Sequence, residues 1–360
     1  MSKFCVFCGE KPTKKTKEHV IPQWLIKMTE HHGRQTAFGQ VDGERIVFPW
    51  KKYTFPACKT CNEKYSELEG KIKVVIEKLL DFDELSQIDI NNLLDWFDKV
   101  RIGLWLGQSL INGEELNPKF YINQRIGISD RLLIINRSFE NYKCIVFSGT
   151  NSLAFKYTPS CFSLTINNLT FVNYSSAMLL TKNMGFPYPD DFFLSENGQM
   201  GFSKINKGLN KVVRPLLSGH IIEPAIKIYQ TILAVNGDSI INTPVSNYMI
   251  NNSISYSDTK LISKLFIIDD FSDYFGFLQD NEKVTFNLTT GYPFESLLKS
   301  TAIVVFKHQN IEIERALKTF DRLPEDLKKQ TIELYKNMRI LNNKFISNIE
   351  QELQSLQNDK

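Results

Sequence analysis

Two Cys-x-x-Cys pairs, Cys5-Val6-Phe7-Cys8 and Cys58-Lys59-Thr60-Cys61, constrain the fold of this chain more than any other feature. Each pair can place two thiolates on one tetrahedral zinc ion through a tight turn, and together they supply a complete structural site. Gly9, directly after Cys8, suits such a turn because it tolerates positive φ. Forty-nine residues separate Cys8 from Cys58, well above the roughly 15–20 of a simple zinc ribbon. A sizeable insert must therefore rise from a base that the metal staples. No stretch approaches the roughly 18 apolar residues of a membrane span, and the residues after Met1 do not read as a leader. A cytoplasmic protein with no membrane association is expected, and paired cysteines there favour metal over disulfide. Cys144 and Cys161 stand alone in strand-like surroundings and read as ordinary buried thiols.

Net charge is only +3, but its distribution is uneven: residues 1–75 hold fourteen Lys/Arg against eight Asp/Glu, and the remainder is slightly acidic. The basic excess thus coincides with the cysteine pairs, as expected of a segment that meets a polyanion. Lys14, Lys15, Lys17, Lys51, Lys52 and Lys59 are the candidate phosphate contacts. Such contacts make affinity fall with salt.

The pattern divides 360 residues into four stretches. Residues 1–75 carry short β-like pieces such as Arg45–Phe48, a helix-like run at Trp24–Met28 and a helix beginning near Cys61. Residues 76–130 form a helical segment: the apolar spacing of Ile72 to Leu80 and of Leu93 to Leu106 predicts helices with a break near residues 81–90 and Trp96 and Trp105 in their core. Residues 131–308 read as a larger α+β domain, with strands predicted at Leu132–Ile135, Cys144–Phe147, Phe162–Ile166, Ile228–Leu233 and Ala302–Phe306. Residues 309–360 return to helix, broken at Leu323-Pro324-Glu325. Beyond the break, Leu334, Met338, Leu341, Phe345, Ile349, Leu353 and Leu356 form a stripe that suits either a packed helix or a homodimer seam.

Inside the insert lies Lys17-Glu18-His19-Val20-Ile21-Pro22-Gln23, and the second cysteine pair runs straight into Asn62 at the start of a helix. An acidic residue before His, Pro three residues later, and a Cys-x-x-Cys-Asn helix start, all framed by cysteine pairs, resemble the HNH (ββα-metal) endonuclease family. The likeness covers about residues 4–72, a fifth of the chain, with Glu-His where the family often has Asp-His. It implies an α+β protein whose N-terminal domain is a zinc-stapled, treble-clef-like ββα unit, followed by the helical segment, the larger α+β domain and the C-terminal helices.

The same likeness implies a phosphodiester hydrolase acting on nucleic acid, DNA before RNA. His19 would be the general base, because an imidazole of near-neutral pKa can take a proton from water. Glu18 and Asn62 would hold a hard divalent cation such as Mg²⁺, which prefers oxygen ligands and can neutralise the scissile phosphate. Cys5, Cys8, Cys58 and Cys61 would hold structural Zn²⁺. Glu69, two helical turns beyond Asn62 on the same face, is a further candidate ligand, whereas Glu67 reads as surface. The family's middle Asn falls at Tyr53, so another group must orient His19. His31 and His32 read as a loop pair and Trp24 as core. HNH domains joined to large non-nuclease regions resemble bacterial phage-defence effectors or mobile-element enzymes, an analogy at the level of fold. The competing expectation is a zinc-knuckle nucleic-acid-binding protein without cleavage.

Overall fold

The computed structural model describes residues 4–12, 14–30, 35–41, 44–49, 54–111, 121–177, 179–184, 188–194, 200–206, 222–231, 265–278, 281–288 and 291–358. The fold is mixed α+β. At the N-terminus, β1 (Lys15–His19) pairs antiparallel with β4 (Thr54–Cys58), in a register running from Lys15 opposite Cys58 to His19 opposite Thr54. Between them come the short helix α1 (Gln23–Met28) and a second hairpin of β2 (Gln35–Val41) and β3 (Glu44–Pro49). Helix α2 (Lys59–Asp81) follows β4 without an intervening residue. It ends at Phe82, whose backbone is left-handed at φ 60. The boundary expected at residue 75 therefore lies inside a helix. Val75, Ile76 and Leu79 continue its buried stripe beyond that point, so nothing in the packing stops the helix there.

A three-residue strand, β5 (Glu84–Ser86), turns the chain into α3 (Gln87–Ile111), which lies against α2. The break expected near residues 81–90 is this turn. Trp96 and Trp105 are both buried, as the helical spacing predicted.

The centre of the molecule is a seven-stranded antiparallel sheet ordered β14-β13-β12-β6-β9-β8-β7. Its strands are β6 (Asp130–Arg137), β7 (Ile145–Ser148), β8 (Cys161–Ile166), β9 (Leu169–Ser176), β12 (Ile226–Gln230), β13 (Leu265–Asp269) and β14 (Tyr274–Phe277). Between them lie helices α4 (Leu153–Tyr157) and α5 (Leu179–Asn183) and a separate hairpin of β10 (Tyr188–Leu194) and β11 (Met200–Asn206). Strand β15 (Lys283–Thr285) returns to pair with β5. Strands buried on both faces read as continuous apolar runs, and β6 is such a run because a helix covers each face. Leu133 and Ile135 face the α3 side, where Phe97 meets Phe162 and Phe171. Leu132 and Ile134 face the other side with Val304 and Val305.

Those two valines belong to helix α6 (Phe294–Leu317), so the expected strand at Ala302–Phe306 is corrected to helix. The run is buried on every side, between the sheet and the final helix, and a helix apolar all round has no amphipathic period to give it away. The expected domain boundary at residue 308 likewise lies inside α6. Helix α7 (Glu325–Asn358) begins after the predicted break and packs back on α6 through Met338, Ile346 and the stacked Phe306–Phe345 pair. Among the described residues no helix is long and apolar enough to cross a membrane.

Candidate zinc knuckle and cation site

The four cysteines of the two pairs come together at the foot of the β1–β4 hairpin. Cys58 closes β4, Cys61 lies on the first turn of α2, and Cys5 and Cys8 flank a tight turn. That turn is closed by Gly9 N–H on Cys5 O at 2.9 Å. Gly9 has φ +81, and a Cβ there would run into the Tyr121 ring, so both conformation and space demand glycine. The four sulfurs all lie within 4.8 Å of one another. A tetrahedral zinc site with Zn–S of about 2.3 Å has sulfurs about 3.8 Å apart, and Cys8 Sγ lies 3.8 Å from Cys58 Sγ. The group can therefore hold a metal ion such as zinc.

Local polarity prepares the site. Cys58 N–H donates to Cys5 Sγ at 3.2 Å, and such backbone donors outweigh burial to hold the Cys5 thiol below its ordinary pKa. Burial, with the neighbouring sulfurs, pushes Cys58 up to about 11 and Cys61 up to about 12. Four sulfurs crowded this closely repel one another as thiolates, and a divalent cation relieves that repulsion. Phe7 stacks on Tyr65 of α2 at 4.1 Å, and Tyr65 donates to Asn123 at 2.7 Å, tying the knuckle to the helix behind it.

Strand alternation divides the remaining candidates between two faces of β1. Lys15, Lys17 and His19 share the outer face, where the lysines are exposed and the histidine is partly so. Thr16 and Glu18 point inward. Asn62 Nδ2 donates to Thr16 Oγ1 at 3.2 Å, while that hydroxyl donates to Ala57 O at 3.1 Å. With its one proton committed, the hydroxyl must accept from Asn62, which fixes the amide and leaves Oδ1 as its acceptor.

Glu18 is only 5% exposed. Its Oε1 lies 2.6 Å from Lys99 Nζ, a contact without hydrogen-bond alignment, and Lys99 also pairs with Glu69 Oε1 and donates to His19 O at 3.3 Å. Lys99 itself is 1% exposed, in the middle of α3. Burial works against its charge, but Glu18 and Glu69 outweigh that and raise its pKa. Glu69 is also raised, by burial first, with the Lys99 charge opposing and the Glu18 charge adding. The two carboxylates thus share one ammonium.

The ligand set expected from the sequence thus falls into two groups. Glu18 and Glu69 gather around Lys99, and Asn62 is held at Thr16, nearer the cysteines. Glu69 lies seven positions along the helix from Asn62, about 10.5 Å along the axis. Glu67 is exposed, and Trp24 is a partly buried neighbour of Trp96. His31, His32, Lys51, Lys52 and Tyr53 lie outside the described residues.

Two residues at this site escaped the sequence reading. Gln23 opens α1 after Pro22, and its Nε2 lies 3.3 Å from His19 Nε2. The signal was the proline, which starts a helix readily and so places the residue four positions after His19 on a first turn beside it. Lys99 was the other. Its signal was a lysine set among Leu93, Leu94, Phe97 and Val100, where a charge needs a partner.

The chain matches no protein-family model, no curated protein and no solved structure.

Proposed function

We propose that the N-terminal unit is a zinc-stapled HNH-type domain that hydrolyses phosphodiester bonds of nucleic acid, with His19 as general base. The observation that carries this reading is the division of β1. His19 lies on an outer face with Lys15 and Lys17, and a ββα unit with four clustered cysteines holds that face in place. The two lysines would engage backbone phosphates and bring the scissile group to the end of the strand. Gln23 holds the ring at Nε2, the role left open by the tyrosine at position 53. With the Gln23 amide turned so that its oxygen accepts from Nε2–H, Nδ1 would keep its lone pair, take the proton of an attacking water and pass it to the leaving oxygen.

The donor set inside the hairpin suits a hard cation. Glu18, Glu69 and the His19 carbonyl are all oxygen ligands and already surround a cationic group. Asn62, held at Thr16 in the group nearer the cysteines, would have to move to join that cation. Mg²⁺ or another divalent ion held there would supply positive charge to the phosphate and leaving oxygen. Zn²⁺ would be structural only, since four sulfurs fill its tetrahedron. DNA is the proposed substrate and a phage-defence role the proposed setting; two copies meeting through α7 would allow cutting of both strands.

A second reading, nucleic-acid binding without cleavage, is favoured by one observation: the proposed cation ligands are already paired with a buried lysine. Nicking of supercoiled plasmid by the zinc-loaded chain separates the two. The nuclease reading expects divalent-dependent nicking that His19→Ala reduces by about 10²–10⁴-fold. Salt-sensitive plasmid binding without any nicking would leave the binding reading.

A further inference from the structure

The Lys99 ammonium lies between Glu18 and Glu69, and it comes from α3, outside the β1–β4 hairpin and α2. Helix α3 reaches β1 because Gly103, one turn beyond Lys99, lets the helix approach Val20: a Cβ at Gly103 would lie 3.0 Å from Val20 Cγ1. Trp96, one turn before Lys99, packs beside Trp24 of α1 at 6.2 Å. Between these contacts the lysine is delivered into the hairpin, where its ammonium donates to Glu69 and the His19 carbonyl and lies 2.6 Å from Glu18 Oε1.

The compensation is incomplete in two ways. Two carboxylates share one ammonium, with only the His19 ring adding positive charge near Glu69, so the group has room for the charge of a divalent ion. Glu18 Oε1 is also buried without an aligned donor, although the ammonium is close. An oxygen cluster of this charge and geometry suits a divalent cation better than it suits lysine. We propose that Lys99 is an internal competitor for this cation site, so that a divalent ion binds Glu18 and Glu69 only by expelling the Lys99 ammonium. On this basis α3, and through it the central sheet, sets the concentration of divalent ion that the N-terminal unit needs.

The test is Mn²⁺ binding to the zinc-loaded full chain without nucleic acid, followed through the paramagnetic resonance signal of free Mn²⁺. Lys99→Met removes the competing charge at nearly constant volume and is expected to tighten Mn²⁺ binding at least tenfold. Adding Glu18→Gln or Glu69→Gln to that variant is expected to abolish the gain. A Lys99→Met chain that retains zinc and melts cooperatively, yet binds Mn²⁺ no more tightly than wild type, overturns the proposal. If Lys99→Met does not fold, wild type against Glu18→Gln decides. Weaker Mn²⁺ binding by Glu18→Gln supports a shared site, and equal binding overturns it. The proposal rests on the cation role assigned to Glu18 but not on cleavage. A chain that gains Mn²⁺ affinity as expected and never nicks plasmid would therefore fail the nuclease reading alone.

Discussion

At the scale of single residues, the proposed chemistry turns on what faces His19. Gln23 offers a neutral amide to Nε2 at 3.3 Å. Replacing it by Glu puts a carboxylate beside the ring, which favours the imidazolium and raises its pKa. A general base must be unprotonated to act, so the acid limb of the pH–rate profile for nicking is expected to move about one unit upward in Gln23→Glu. An unmoved limb would remove His19 from the titration that controls rate. The sequence made His19 and its acidic neighbour legible, since motif order alone singles them out. It could not reveal that Glu18 points into the protein, because that depends on α3 arriving some eighty residues later to cover the strand. Long-range partners such as Lys99 leave only an indirect trace, a charge at a position where periodicity calls for an apolar side chain.

At the scale of elements, three units carry separable energetics. At the four-cysteine cluster, a metal such as zinc would join the first turn of α2 to the Cys5–Gly9 turn, so Cys61→Ser is expected to weaken zinc uptake and lower the melting temperature of the zinc-loaded chain, as read by metal analysis and calorimetry. At the α2–α3 corner, Asp89 accepts from Lys78 at 2.8 Å and from the Ser86 backbone at 3.0 Å. Burial raises its pKa, but those donors prevail and leave it lowered. A lowered carboxylate stabilises the fold above the ordinary carboxyl pKa of about 3.9 and loses that contribution as pH falls through its folded value. Asp89→Ala is thus expected to cost about 1–2 kcal/mol at pH 7, with the deficit shrinking below about pH 4, as denaturant melts at both pH values would show. In the α6–α7 hairpin the apolar stripe is only partly covered within the chain: Met338 is buried, whereas Leu341 and Phe345 stay 42% and 47% exposed. Met338→Ala is expected to cost about 2–5 kcal/mol, whereas Ile340→Ser, at a position 63% exposed, should stay within about 0.5 kcal/mol. The stripe's spacing was plain in the sequence. Whether it met α6 or a second copy was not, because both partners demand the same pattern. The all-buried face of α6 hid its helix for the opposite reason: it has too little pattern.

At the scale of the whole molecule, the N-terminal unit and the sheet share one core. A single cluster of buried side chains runs from Cys5 and Phe7 through α2 and α3 to Phe162, Phe171 and Leu288. Charge reinforces it on the α3 face turned to the sheet. There Asp98 accepts from Arg101 at 2.5 Å and from Arg131 of β6 at 3.3 Å, and Arg131 in turn donates to Gln230 of β12 at 2.7 Å. Removing one member of such a network strands the others in a low dielectric, which makes separation of the layers costly. The composition shift near residue 75 is real as a change in charge, yet it marks no break in packing, since a helix and a core cross it without interruption. One cooperative transition is therefore expected for zinc release and for loss of sheet structure, followed by a chromogenic chelator and by circular dichroism in the same thermal ramp. Zinc released well before the sheet melts would mean that the β1–β4 hairpin and its cysteine cluster open alone. Control of its cation site by Lys99 would then operate only while α3 stays docked on β1.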